Sequence, residues 1–135
     1  MSNQTCLDVV KRNKQKIHDS VEKFLNLRHL TAKEIFVFKS RVAGTCKPYS
    51  DIDIYVQLDE KHRGLVEREG GLWADKIVLH KGVCDIPSPV VEVIQEGEHK
   101  GRQITLDITL GVDPIPPLPS QYKGKKWFMK LSDVL

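Results

Sequence analysis

The chain has 135 residues, of which 40% are apolar and 29% charged; that length supports one buried core, and that balance argues against wholesale disorder. No apolar run approaches the ~20 residues needed to cross a bilayer, and the opening MSNQTCLDVVKRNKQK lacks a secretory apolar region, so a cytoplasmic protein without membrane contact is expected, with the nucleus left open. A net charge of +3 suits nucleotide or nucleic acid without naming either.

From Thr5 to Leu27, the residues Leu7, Val10, Ile17, Val21 and Phe24 recur mostly at three-, four- and seven-residue spacings, which predicts an amphipathic helix with lysines outward. Ile35 to Phe38 is a short apolar run of β-forming residues and predicts a buried strand. SRVAGTCKPYS, with Gly44, Pro48 and Ser50, reads as a turn or short helix. Ile52 to Leu58 alternates: Ile52, Ile54, Val56 and Leu58 face one way, and Asp51, Asp53, Tyr55 and Gln57 the other. Asp59 to His80 suits a helix broken near Gly70–Gly71, with Leu65, Val66, Leu72, Trp73 and Ile77 as apolar contacts, and Pro87 and Pro89 punctuate the stretch after it. Val90 to Gln95 and Gln103 to Leu110, separated by EGEHKG, predict a hairpin. From Pro114 the tail is proline-rich (PIPPLP), then basic and aromatic (KGKKWFMK). This order predicts a single α+β domain, a mixed β-sheet flanked by helices. Its parts are an N-terminal helix over 1–34, a core over 35–113 and a tail over 114–135.

Cys6, Cys46 and Cys84 are odd in number and form neither CxxC nor a Cys/His cluster. Reduced thiols are expected, and neither structural zinc nor a disulfide framework.

Two carboxylates two apart on a strand share a face about 6–7 Å apart. Asp51 and Asp53 are thus placed to share a hard divalent cation, although a solvated strand face also carries such pairs. An EF-hand is excluded because the loop glycine and later glutamate are missing. In ITLDITLG, Ile104, Leu106, Ile108 and Leu110 take one face and leave Asp107 on the other between Thr105 and Thr109. An acid in mid-strand costs stability unless it is paired or binds metal. Three carboxylates converging on one sheet face suit two-metal phosphoryl chemistry.

Phe38-Lys39-Ser40-Arg41-Val42-Ala43-Gly44-Thr45 followed by Tyr49-Ser50-Asp51-Ile52-Asp53-Ile54 resembles the signature of the DNA polymerase β-like nucleotidyltransferases. In that signature an apolar residue precedes Gly-Ser or Gly-Gly, and an apolar-flanked Asp-x-Asp comes about ten residues later. IPSPVVEVIQ…GRQITLDITLGV resembles the family's second half, where a hairpin strand carries the third metal-binding aspartate, here Asp107. The resemblance covers Ile35 to Val112, and LDITLGV is similar to the branch containing cyclic GMP-AMP synthase and the oligoadenylate synthetases. It implies a nucleotidyltransferase palm, with Mg²⁺ or Mn²⁺ on Asp51, Asp53 and Asp107. It also implies a nucleoside triphosphate at Lys39, Ser40 and Arg41, with the Ser40 hydroxyl on the β- or γ-phosphate. Asp107 is the expected base, and the acceptor is expected to be RNA, DNA or a protein. Lys39 departs from the pattern, because the family has glycine there to let the backbone approach the triphosphate. The larger members carry a helical lobe, so a partner chain supplying it is a further expectation.

Other residues carry weaker signals. Lys47 is either a phosphate contact or solvated, and Glu92 is either a metal neighbour or a solvated strand position. Asp85 reads as a loop residue, and no histidine sits with a nucleophile. PIPPLP suits either a polyproline ligand for an SH3-like groove or, with no flanking arginine, a stiff exit from the last strand, the commoner explanation. Lys123, Lys125, Lys126 and Lys130 around Trp127 and Phe128 suit either a nucleic-acid backbone or a terminal element whose aromatics dock on the core.

Overall fold

A computed structural model of the chain describes residues 3–68, 89–116, 122, 124 and 126–134. The stretch expected as one helix is two, α1 (Asn3–Arg12) and α2 (Lys14–Asn26). Asn13 makes the break: its Nδ2 donates to the Val9 carbonyl at 2.9 Å and to Glu92 Oε2 at 2.7 Å. Its backbone leaves the helical region at φ −115°, ψ 15°. A short amide side chain that bonds nearby main chain competes with helix propagation.

β1 (Ala32–Phe38) starts before the apolar run Ile35–Phe38, because antiparallel pairing with β2 (Ile52–Leu58) extends to Ala32 opposite Leu58. Between them lies the short α3 (Ser40–Ala43). After β2, one tight turn (Glu60–His62) leads into α4 (Arg63–Arg68). The expected helix break at Gly70–Gly71, together with Leu72, Trp73, Ile77, Cys84, Asp85 and Pro87, lies outside the described residues, as does much of PIPPLP. β3 (Val90–Val93) and β4 (Gln103–Gly111) form the antiparallel hairpin, and β5 (Phe128–Lys130) pairs antiparallel with β1. The sheet order is β3-β4-β2-β1-β5, with β2 and β4 parallel. The result is a small α+β domain on a five-stranded mixed sheet.

The strand alternation settles which side chains go where. Ile35, Val37, Ile52, Ile54, Val56, Leu106 and Ile108 pack with Val10, Ile17, Val21 and Leu25 of the helices in one core. Each such side chain contributes about 1.5–3 kcal/mol when buried. The other face carries Phe36, Phe38, Tyr55, Tyr122 and Trp127, and the Tyr55 hydroxyl donates to the Asp113 carbonyl at 2.9 Å. No helix among the described residues is long and apolar enough to cross a membrane.

Candidate functional site

Strand register brings the acids together. β1 places Phe38 opposite Asp53, and β2 places Asp53 beside Asp107 on β4. Adjacent strands lie about 4.8 Å apart, and side chains in register share a face. Asp53 and Asp107 therefore leave neighbouring strands on the same side, opposite the helix-packed Ile52, Ile54, Leu106 and Ile108. Asp51 lies one pleat earlier on that side, and its Oδ1 accepts from Thr105 Oγ1 at 2.9 Å. Thr105 stands two residues before Asp107, so this bond ties the start of β2 to β4. Farther along the same face Gln57 and Thr109 are buried. Asp53 and Asp107 are half-buried and Asp51 is exposed, so the acids occupy the open end.

β1 ends at that end too, and the turn after it holds Lys39 and Ser40. Lys39 has φ 68° and ψ −138°, a backbone state open to glycine and strained for other residues, at about 1–3 kcal/mol. Three bonds hold it there: its N–H donates to the Trp127 carbonyl at 2.7 Å, and its carbonyl accepts from Val42 at 3.1 Å and Ala43 at 2.9 Å. The turn keeps a glycine-like backbone although a lysine occupies it. Its ammonium lies 5.0 Å from the Phe38 ring centroid, on a residue that opposes Asp53. Ser40 is the half-buried first residue of α3.

Arg41, expected to hold phosphate, is only 2% exposed, and its guanidinium is turned to main chain. Nη2 donates to the carbonyls of Ser50 (2.6 Å) and Pro48 (3.4 Å), and Nη1 to that of Cys6 (3.3 Å). In this arrangement Arg41 shapes the loop 46–50 that delivers Asp51. Burial, with Arg12 nearby, pushes its pKa below the ordinary guanidinium value, while Asp51, Asp53 and Glu92 pull it back up. The charged form is the one disfavoured, so this cost to folding is present wherever Arg41 is protonated.

The cysteine expectation is corrected by the structure. Cys6 of α1 and Cys46 of the loop form a disulfide across 40 residues, with Cα atoms 5.9 Å apart. Spacing carries no signal of it, because the pairing depends on α1 packing beside α3. Glu92, weighed as a metal neighbour, is fixed at the α1–α2 junction: Arg12 Nε donates to its two oxygens at 3.1 and 3.2 Å, and Asn13 donates as well. Asp85, Lys123 and Lys125 lie outside the described residues. Thr105 is the site residue that the sequence pattern leaves unassigned; its only signal is its place two before Asp107.

Among the described residues no three His, Cys, Asp or Glu side chains stand gathered as one metal-binding group. The arrangement is a lateral Asp53–Asp107 pair with Asp51 held by Thr105. Its donors are all carboxylate oxygens, the set that hard divalent cations prefer, and Asp51 is held on Thr105 beside the pair. Comparison with known proteins finds no matching family model, no similar curated protein and no similar solved structure.

Proposed function

We propose that the chain is the palm of a DNA polymerase β-like nucleotidyltransferase that moves a nucleoside monophosphate from a triphosphate to an acceptor hydroxyl. The observation that carries this reading is the register of Asp53 beside Asp107, with Asp51 on the same face. That register sits at the sheet end where the Lys39–Ser40 turn begins. Asp51, Asp53 and Asp107 are the residues to hold Mg²⁺ or Mn²⁺. When bound, the ion supplies polarisation of the α-phosphate and neutralises charge on the departing pyrophosphate. Ser40 offers a hydroxyl to the β- or γ-phosphate, and Asp107 accepts the proton of the acceptor hydroxyl. The new bond joins acceptor oxygen to the α-phosphorus, and the bond from that phosphorus to the β-bridging oxygen breaks.

The second reading is a non-catalytic nucleotide- or RNA-binding palm, and Lys39 favours it. Its ammonium lies over the ring of Phe38, the residue opposite Asp53, and its Cβ occupies space a glycine leaves open. A minimal nucleotidyltransferase that modifies a partner protein uses the same site, and an AMP adduct on a co-purified protein identifies it.

Calorimetric titration of ATP and GTP, with and without Mg²⁺, tests the assignment on the wild type and on Asp51→Ala/Asp53→Ala. Metal-dependent binding that the double variant loses is the expected result. A well-folded wild type that binds neither nucleotide under either condition removes the catalytic reading.

A further inference from the structure

We infer that Lys47, Tyr49, His99 and Arg102 form a phosphate-binding cluster for a single-stranded nucleic acid. Its role as the acceptor's binding site rests on the nucleotidyltransferase reading above; its capacity to bind rests on its own geometry. Tyr49 lies in the loop ahead of Asp51, and three basic side chains from two segments converge on its ring. The Arg102 guanidinium carbon is 4.2 Å from the ring centroid, Lys47 Nζ 5.9 Å, and the His99 ring 4.7 Å at 57°.

Both segments are held by hydrogen bonds of their own. Ser50 Oγ accepts from the Lys47 N–H at 2.8 Å, and Arg41 grips the Ser50 and Pro48 carbonyls. In the hairpin loop, Gly101 N–H donates to the Ile94 carbonyl at 2.8 Å and Arg102 N–H to that of His99 at 3.0 Å. Glycines at positive φ, Gly97 (85°) and Gly101 (90°), turn the chain.

The ring holds two long basic side chains that otherwise lose rotamer freedom on binding. Both Lys47 and Arg102 are exposed, and neither pairs with a carboxylate among the described residues. Glu98 lies 4.0 Å from His99. A guanidinium fork and an ammonium without a carboxylate partner among the described residues suit phosphate oxygens.

Position favours a strand over the triphosphate. Arg102 stands three residues before Thr105, the residue bonded to Asp51, which is about 10 Å of extended chain. That offset along the chain is the ground for assigning the phosphates at Arg102 to an acceptor strand and not to the triphosphate.

The test is fluorescence anisotropy of a labelled oligouridine of about 12 nucleotides, in EDTA and without triphosphate, across a salt series. Lys47→Glu/Arg102→Glu should weaken binding about tenfold or more and reduce the logarithmic salt slope by about 1.4, about 0.7 for each phosphate no longer neutralised. Tyr49→Phe keeps the ring and should retain wild-type affinity. Equal affinity and slope in the wild type and the double variant would overturn the cluster, and so would displacement of the oligomer by an acidic peptide as readily as by unlabelled RNA. Metal and nucleotide are absent from this assay. Normal oligomer binding alongside failed calorimetry therefore faults the enzyme assignment and leaves the cluster standing.

Discussion

At Lys39 a single side chain sits in conflict with its own backbone. Its φ of 68° is set by the pull of Trp127 and α3 on either side, and those bonds do not depend on the side chain. Lys39→Gly should relieve the strain. The gain, about 1–3 kcal/mol of strain less the extra unfolded-state freedom of glycine, comes to about 1 kcal/mol. A higher urea midpoint with unchanged slope is the expected outcome, and a lower midpoint would show that the cation–ring contact at Phe38 outweighs the strain. The same variant separates the two functional readings. Tighter triphosphate binding fits a palm obstructed by the lysine, and unchanged binding acquits that residue. Arg41 shows a different balance. A buried guanidinium bonded to carbonyls is costly, yet four acceptors around α3 and the loop, counting Cys46 Sγ at 3.7 Å, hold the approach to Asp51 in place.

The elements around the acids are braced from both ends of the sequence. α1 reaches the loop 46–50 through Cys6–Cys46. The segment carrying β5 reaches the Lys39 turn through the Trp127 carbonyl, and Lys130 adds an ion pair to Glu34 at 3.7 Å. Closing a loop of 40 residues removes unfolded-chain entropy worth about 4 kcal/mol on the chain-entropy model. Reduction with dithiothreitol, or Cys46→Ser, should therefore shift the urea midpoint down by an amount approaching that figure. A midpoint that does not move under reduction would mean that the crosslink contributes nothing to folding. α2 is tied in by Lys14, whose ammonium donates to the Ser132 and Val134 carbonyls at 3.1 and 2.8 Å, so the helix layer and the last turn support each other.

On the scale of the whole molecule, the described residues leave the sheet with one closed and one partly open face. Helices cover the first, and aromatics close the second over Tyr55 and Phe36, leaving the acids where that cover ends. An ion that binds only the folded state stabilises it by an amount set by its concentration over its dissociation constant, about 2.7 kcal/mol at a hundredfold excess. Mn²⁺ should accordingly raise the melting temperature of the wild type and leave that of Asp53→Asn/Asp107→Asn unmoved. Equal shifts in both proteins would assign the ion to some other place on the surface and exclude the carboxylates as its site.

Local alternation is written in the residues themselves. Period-two patterns at Ile52–Leu58 and Ile104–Leu110 assign aliphatics to one face and Asp51, Asp53 and Asp107 to the other, because pleat geometry depends only on neighbours along the chain. The positive φ at Lys39 is not local in this sense, because the bond to the Trp127 carbonyl helps to set it. Which strands become neighbours is settled at the tertiary level alone. The parallel pairing that sets Asp53 beside Asp107, the docking of Phe128–Lys130 as an edge strand, the burial of Arg41 and the Cys6–Cys46 bond all join residues far apart in sequence. Such contacts are fixed by how the helices and strands share one core, a condition on the whole chain that no local window of residues contains.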